Sequence, residues 1–302
     1  MAQALAPEPQ APRATIIICT LADYQRGAAL LRAIDSLLHG NRERPRVHVA
    51  VNGQRYDPAL LDELKARTDI FVTTLPKPSR SNALVEARKL VDTEFFGFLD
   101  DDDEYLPGAL DMRIQAFSQS GDPVDIVVTN GLRNAQGRET TALGDLSDVA
   151  ADPAGAMLRS NWLASCGALF RTATVALDCF DEFPEYLEWT WLGYKLALEG
   201  KRVATVAAPT FRINDTPNSV SKSSAYLLAH VDITQRMLDI TTREDLRVAL
   251  QKRLTDAHHA LAEYHLEQGN KSSAFTHHLR SMGSLYGLRY LLFTRKLLRI
   301  RA

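Results

Sequence analysis

Four consecutive aspartates, Asp100 to Asp103, follow the apolar run Phe95-Phe96-Gly97-Phe98-Leu99. Side chains alternate across a strand, so an extended continuation puts Asp100 and Asp102 on one side and Asp101 and Asp103 on the other. A pair of carboxylates on one side suits a hard divalent cation. Magnesium and manganese prefer oxygen ligands and are often held by one or two protein carboxylates, with water and substrate phosphate completing the shell. The cluster therefore predicts a metal site acting on a phosphorylated substrate. The competing reading is a solvated acidic turn, the usual fate of a charge run. Against it, four like charges repel, and a loop without a task has no need to stack them.

The elements around the cluster must hold it in place. From Ala14 onward, short β-branched runs alternate with helix-length amphipathic segments. The runs are Thr15 to Ile18, Val47 to Val51, Ile70 to Thr73, Phe95 to Leu99 and Asp125 to Thr129; the segments between them are Ala28 to His39, Pro58 to Arg67, Ser81 to Val91 and Pro107 to Gln119. Such alternation predicts an α/β fold with a Rossmann-like, mainly parallel sheet and helices on both faces. Ligands then gather at the carboxyl ends of the strands, where Asp100 sits. Residues 131–165, rich in Gly, Ala, Asp and Asn and weak in periodicity, predict irregular structure. A strand-like Ala168-Leu169-Phe170 follows. Pro184 opens a helical segment that Gly200 closes, with Leu187, Trp191, Tyr194 and Leu198 as its apolar stripe. Val203 to Val206 reads as a further strand. From Tyr226 the chain reads as helical, broken near Thr241-Thr242 and Gly269-Asn270. The pairs His258-His259 and His277-His278 fall in this region; adjacent residues do not share a helix face, so they read as surface residues rather than metal ligands.

With 302 residues, 45% hydrophobic and 24% charged, the chain has the composition of a soluble globular protein large enough for one sizeable domain and an appendage. Met1 to Arg13, with four alanines and three prolines, lacks the basic start and apolar core of a signal peptide and reads as a disordered leader. No apolar stretch approaches the roughly 20 residues that cross a bilayer. Three cysteines, Cys19, Cys166 and Cys179, without paired short spacings argue against a disulfide framework or zinc site and fit a reducing cytoplasm. The net charge of −2 hides an asymmetry: seven basic residues and no acidic one follow Glu267, which leaves the rest at −9. That basic, leucine-rich end suits an anionic membrane surface. Projected on one helix, however, Arg289, Lys296 and Arg299 share a side with Leu285 and Leu292, so a plain solvated packing helix is an equal reading. Nucleic acid is disfavoured, because aromatic residues are not interleaved with the basic ones and the body is acidic.

Several segments together carry a family resemblance. A first strand ending in Cys19-Thr20, a second ending in Asn52-Gly53, and the stretch Phe98-Leu99-Asp100-Asp101-Asp102-Asp103-Glu104-Tyr105-Leu106-Pro107-Gly108 come in that order. Gly167 to Arg171, Phe180-Asp181-Glu182, Glu188-Trp189 and Gly200-Lys201-Arg202 follow. This arrangement resembles the family 2 glycosyltransferases of GT-A fold over about residues 14–222. The resemblance implies a leader over 1–13, a transferase domain over 14–222 with a donor half to about 130 and an acceptor half from about 131, and a helical C-terminal region over 223–302.

The resemblance also implies site roles. Asp102 is the direct ligand of Mn2+ or Mg2+, Asp100 touches the ribose or the metal shell, and Asp101 lines the nucleotide side with Thr20, Asn52 and Arg80. Glu188 stands at the position of the general base, with Glu185 and Asp181 as nearest substitutes. No Lys or Arg lies three or four residues after Glu188, so it reads as an unpaired glutamate among tryptophans, its pKa raised by burial. Three departures stand out. Asn52 occupies a place where relatives often carry a base-reading aspartate. Arg80-Ser81-Asn82 lies about one helical turn farther from the aspartates than usual. Asn214-Asp215 falls where many relatives have a metal-binding histidine, and either residue could supply an oxygen instead. Ser219 to Lys222 resembles a flexible segment over the donor.

The function expected is an inverting, metal-dependent transfer of a sugar from a UDP-, dTDP- or GDP-linked donor to a saccharide or lipid-linked saccharide, in polysaccharide or glycan biosynthesis. Its expected setting is the cytoplasm, with peripheral contact at the inner membrane face and a homodimer as further options. The alternatives are a non-catalytic carbohydrate-binding or assembly protein on a degenerate transferase fold, and a sugar-phosphate nucleotidyltransferase. An Asp-x-Asp phosphatase fits poorly, because three strands precede the aspartates and Glu104 follows them.

Overall fold

In the computed structural model, residues 11–119, 121–215 and 224–298 are described; most of the leader, the Ser219–Lys222 segment, Arg299 and Arg301 lie outside them. The first half alternates β1 (Ala14–Thr20), α1 (Gly27–Leu38), β2 (Arg46–Asn52), α2 (Pro58–Ala66), β3 (Ile70–Leu75), α3 (Arg80–Lys89) and β4 (Phe95–Asp100). The chain continues through β5 (Glu104–Tyr105), α4 (Ala109–Gln119), β6 (Ile126–Ala135), β7 (Arg138–Thr141), α5 (Pro153–Arg159), β8 (Ala168–Arg171), α6 (Glu188–Leu198) and β9 (Val203–Asn214). Last come α7 (Ser224–Ile240), α8 (Glu244–Glu267), α9 (Lys271–Ser281), a 3-10 turn over Leu285–Tyr290 and α10 (Phe293–Leu298).

The described strands make one sheet in the order β3-β2-β1-β4-β8-β6-β9-β5, with β7 paired to β6. Strands β1 to β4 are parallel to one another, β8 and β5 run against their neighbours, and β6 is parallel to β9. Alternation along β1 divides the core. Ile17 and Cys19 pack with α3, α6, α7 and α8 on one face, whereas Ile16 and Ile18 pack with α1, α2 and α4 on the other. A strand covered on both faces is an unbroken apolar run, which is why these elements are plain in the sequence. On the first face, Phe96 stacks on Phe170 at 5.1 Å between centroids and Phe98 meets Trp189 at 5.0 Å, tying β4 to β8 and to the start of α6.

Three expectations change. Residues 131–165 are irregular only in part, over 142–152 and 160–164: β6 runs on to Ala135, turns at Gln136 and Gly137, both at positive φ, and returns as β7; α5 then follows a cap in which the Asp152 side chain accepts from the Gly155 N–H. Low periodicity hid them because β7 is exposed throughout and carries no apolar stripe. Helix α6 starts at Glu188 rather than at Pro184, because Leu187 adopts a left-handed conformation, φ 55°, and stops the helical ladder. The histidines are not surface residues. His258 and His277 meet at 3.1 Å between Nδ1 atoms, His278 bonds Thr294 Oγ1 at 2.8 Å, and His259 stacks on Tyr290 at 3.6 Å. Being on different helix faces, the two members of each pair enter different interfaces.

Gly131 is required by packing: an added Cβ would stand 2.3 Å from the ring of buried Phe211. Gly131→Ala is expected to cost about 1–3 kcal/mol in urea unfolding. Burial, with His277 and Arg280 beside it, pushes His258 down to about 4 from its ordinary 6.5. Neutral His258 therefore contributes stability that is full above pH 6.5 and drains as pH falls toward 4. Urea midpoints measured at pH 7 and pH 5 should differ less in His258→Gln than in the parent.

Candidate active site

The four aspartates do not continue the strand. Strand β4 ends at Asp100, and the Asp103 N–H turns back to the Asp100 carbonyl at 3.1 Å. The expected alternation is thereby lost, and each carboxylate goes to its own surroundings. Asp101 is 4% exposed; its Oδ2 accepts from Thr20 Oγ1 at 2.6 Å and its Oδ1 from the Arg26 guanidinium. Asp103, equally buried, accepts from the Asn214 N–H at 3.0 Å and lies 3.6 Å from the Cys166 thiol. Asp100 Oδ2 accepts from Ser165 Oγ at 3.0 Å, and its Oδ1 is paired with Arg80. Asp102 keeps a partly open carboxylate 3.6 Å from Arg26. Burial, then the charges of Asp100 and Asp101, push its carboxyl up to about 6. Burial and the Asp100 and Asp102 charges likewise raise Asp103.

These contacts come from distant parts of the chain. Thr20 is placed by β1, whose Cys19 is in register with Asp100. Arg26 precedes α1, and Ser165 and Cys166 sit in a 3-10 turn before β8. Asn214 is the last residue of β9, which pairs β5 immediately after the aspartates. Its amide nitrogen donates to the Asp102 carbonyl at 2.8 Å and to Glu104 Oε1 at 3.2 Å.

Glu188 opens α6 beside this turn and is 8% exposed. The expectation that it is unpaired is overturned: the Arg80 guanidinium pairs with Glu188 through one nitrogen and with Asp100 through the other. Arg80 arrives from α3, 108 residues away in sequence, so no local helical spacing reveals the pairing. Burial raises the Glu188 pKa, and Arg80 opposes the rise. Two further bonds lock α3 to the segment before α6, from Ser81 Oγ to the Pro184 carbonyl and from Ser79 Oγ to Glu185. Glu185 is thus engaged by Ser79, and Asp181 is exposed at the end of a 3-10 turn.

The remaining sequence-predicted residues divide. Asn52 is buried and its side-chain oxygen accepts from the Ser79 N–H at 2.9 Å, so that oxygen holds the start of α3 rather than a base edge. Asp215 is drawn to Arg133 at 3.0 Å, and Asn214 turns its amide nitrogen toward the aspartate turn while its oxygen accepts from Asn134 at 3.3 Å. Neither offers an oxygen to the aspartates. Among the described residues, no group of three His, Cys, Asp or Glu side chains is arranged to hold a metal ion. Sequence reasoning gave Arg26 little weight, yet it touches two aspartates; a lone arginine in the loop after the first strand was the available signal. Tyr226 of α7 was missed altogether; burial and then the Glu188 charge raise its hydroxyl pKa.

Residues 15–159 match the family described as Glycosyl transferase family 2. No curated protein matches the chain. Among solved structures, S. aureus TarS 1-349 in complex with UDP-GlcNAc shares 16% identity at a TM-score of 0.59, over 82% of this chain and 72% of that one. The same fragment in complex with UDP gives 15% and 0.54, over 86% and 74%. A longer TarS chain gives 16% and 0.56 over 81% of this chain, which spans only 42% of it. At these identities the likeness shows a shared fold: a curled, largely parallel sheet with flanking helices.

Removing the Arg80 guanidinium takes away the largest influence that opposes burial at Glu188 and leaves the Asp100 charge acting with burial. Arg80→Met should therefore raise the Glu188 midpoint further, as read by carbon NMR titration of labelled glutamate carboxyls; an unchanged or lower midpoint would contradict the pairing.

Proposed function

We propose, on the match of residues 15–159 to glycosyl transferase family 2, that the chain moves a sugar from a nucleotide-sugar donor to a saccharide or lipid-linked saccharide hydroxyl with inversion at the anomeric carbon. The observation that carries this reading is the single guanidinium, Arg80, in contact with both Asp100 of the acidic turn and buried Glu188. It sets a phosphate-seeking cation and a proton acceptor side by side at the carboxyl ends of β1 and β4. In this reading residues 14–222 form the transferase unit, with a donor half to about 130 and an acceptor half beyond it, and 223–302 a helical region. The proposed setting is the cytoplasm, at the inner membrane face if the acceptor is lipid-linked. Among the described residues no helix is long and apolar enough to cross a membrane.

Each residue has a stated task. Asp101, held by Thr20 and Arg26, lines the nucleoside side. Asn52 supports the donor pocket indirectly, by fixing the start of α3 that carries Arg80. A diphosphate entering beside that helix start would draw the Arg80 donors from Asp100 and Glu188 onto phosphate oxygens. Glu188 is then released from its partner and accepts the proton of the attacking acceptor hydroxyl. One displacement with one base inverts the anomeric centre, and no second nucleophile is required.

The carboxylates suit a hard divalent cation. Asp102 is partly open, its pKa is raised by burial and by its neighbours' charge, and every candidate ligand is oxygen. Two protein carboxylates, Asp102 and Asp100, match the sparse protein coordination common for Mg2+ and comparable Mn2+ sites. Bound there, the ion would neutralise charge on the departing diphosphate. The solved neighbours in complex with UDP-GlcNAc and UDP make a uridine diphosphate sugar the first donor to test, ahead of dTDP and GDP sugars.

The test is release of nucleoside diphosphate from a panel of nucleotide sugars, with and without manganese. A transferase releases it slowly even without acceptor; a non-catalytic binding module releases none. Glu188→Gln should lower turnover at least about 100-fold while leaving donor affinity within about twofold. In the parent, turnover should fall as pH drops through the raised Glu188 pKa, because the base must be ionised.

A further inference from the structure

We propose that residues 285–298 form a docking element for an anionic lipid surface. The segment is not one helix: a 3-10 turn, Leu285–Tyr290, is followed by two turn residues and then by α10. A single-helix projection therefore does not describe it. Gly287, Phe293 and Leu297 face inward, the latter two packing with Ala262 of α8 and Ala274 of α9. Leu285 is 85% exposed, Leu292 72% and Leu298 66%, with Leu288 and Leu291 a little over half exposed. Leucines at this density on the outside of a short segment are left uncovered by the described residues.

The occupant is set by charge. Arg295 and Lys296 of the same segment and Arg280 at the end of α9 are exposed, and the chain has no acidic residue after Glu267. Arg289 is paired with Asp256 of α8, which fixes the 3-10 turn against that helix. A second copy meeting this face about a two-fold axis would set cation against cation. An anionic leaflet supplies the opposite charge and, beneath it, an apolar layer for the leucines, the two contributions that peripheral attachment combines. Among the described residues no helix is long and apolar enough to cross a bilayer, so the element lies on the surface. The proposal does not depend on the transfer reaction, since binding is read without turnover.

Co-sedimentation of the whole protein with vesicles tests it. Binding to phosphatidylcholine mixed with phosphatidylglycerol should be at least about tenfold stronger than to phosphatidylcholine alone, and should weaken in high salt. The double variant Leu285→Ser, Leu292→Ser and the double variant Arg295→Glu, Lys296→Glu should each lose at least about tenfold in binding with unchanged melting temperature. Equal sedimentation with both vesicle types, or variants that bind like the parent, would overturn the proposal. So would a dimer in light scattering that the leucine variant abolishes while the parent ignores vesicles, which would assign the face to a second copy.

Discussion

The repulsion among four adjacent carboxylates is the constraint around which this molecule is arranged. A run of like charges at a buried strand end is unstable unless donors and cations surround it, and the fold brings them from many elements. Thr20 and Arg26 serve Asp101, Asn214 and Cys166 serve Asp103, and Ser165 and Arg80 serve Asp100. The order of strands follows the same need. Placing β1 beside β4 delivers Thr20, the turn before β8 delivers Ser165 and Cys166, and pairing β5 with β9 delivers Asn214. Asp102, like Asp100 only partly buried, has a raised pKa because burial and the charges of Asp100 and Asp101 crowd it.

Arg80 extends this network to Glu188. Because one guanidinium serves two carboxylates, anything that claims its donors alters both at once. In the proposed reaction this couples arrival of the donor phosphates to release of the base. The bonds of Ser81 to the Pro184 carbonyl and Ser79 to Glu185 make the coupling a matter of rigid elements rather than of one side chain.

Much of the fold was legible because β1, β2 and β4 are covered on both faces and read as apolar runs, while β3 is a partly exposed edge strand marked by its β-branched residues. The acidic turn and Glu188 were legible as positions through the family resemblance. Their partners were not. Arg80 meets Glu188 across 108 residues of sequence and Asn214 meets Asp103 across 111, so neither pairing leaves a local pattern. Exposed β7 has no stripe to detect. The buried histidines misled because adjacency on a helix was taken to mean that the members of a pair stay outside, whereas each enters a different interface.

The sheet face that carries Phe96 and Phe98 is sealed partly by Ile233 and Met237 of α7 and by Leu246 and Leu250 of α8. The region that the family resemblance leaves outside the transferase unit is therefore part of that unit's interior. Cutting the gene at the apparent module border would uncover that apolar sheet face, so a fragment for expression or for grafting runs through α8.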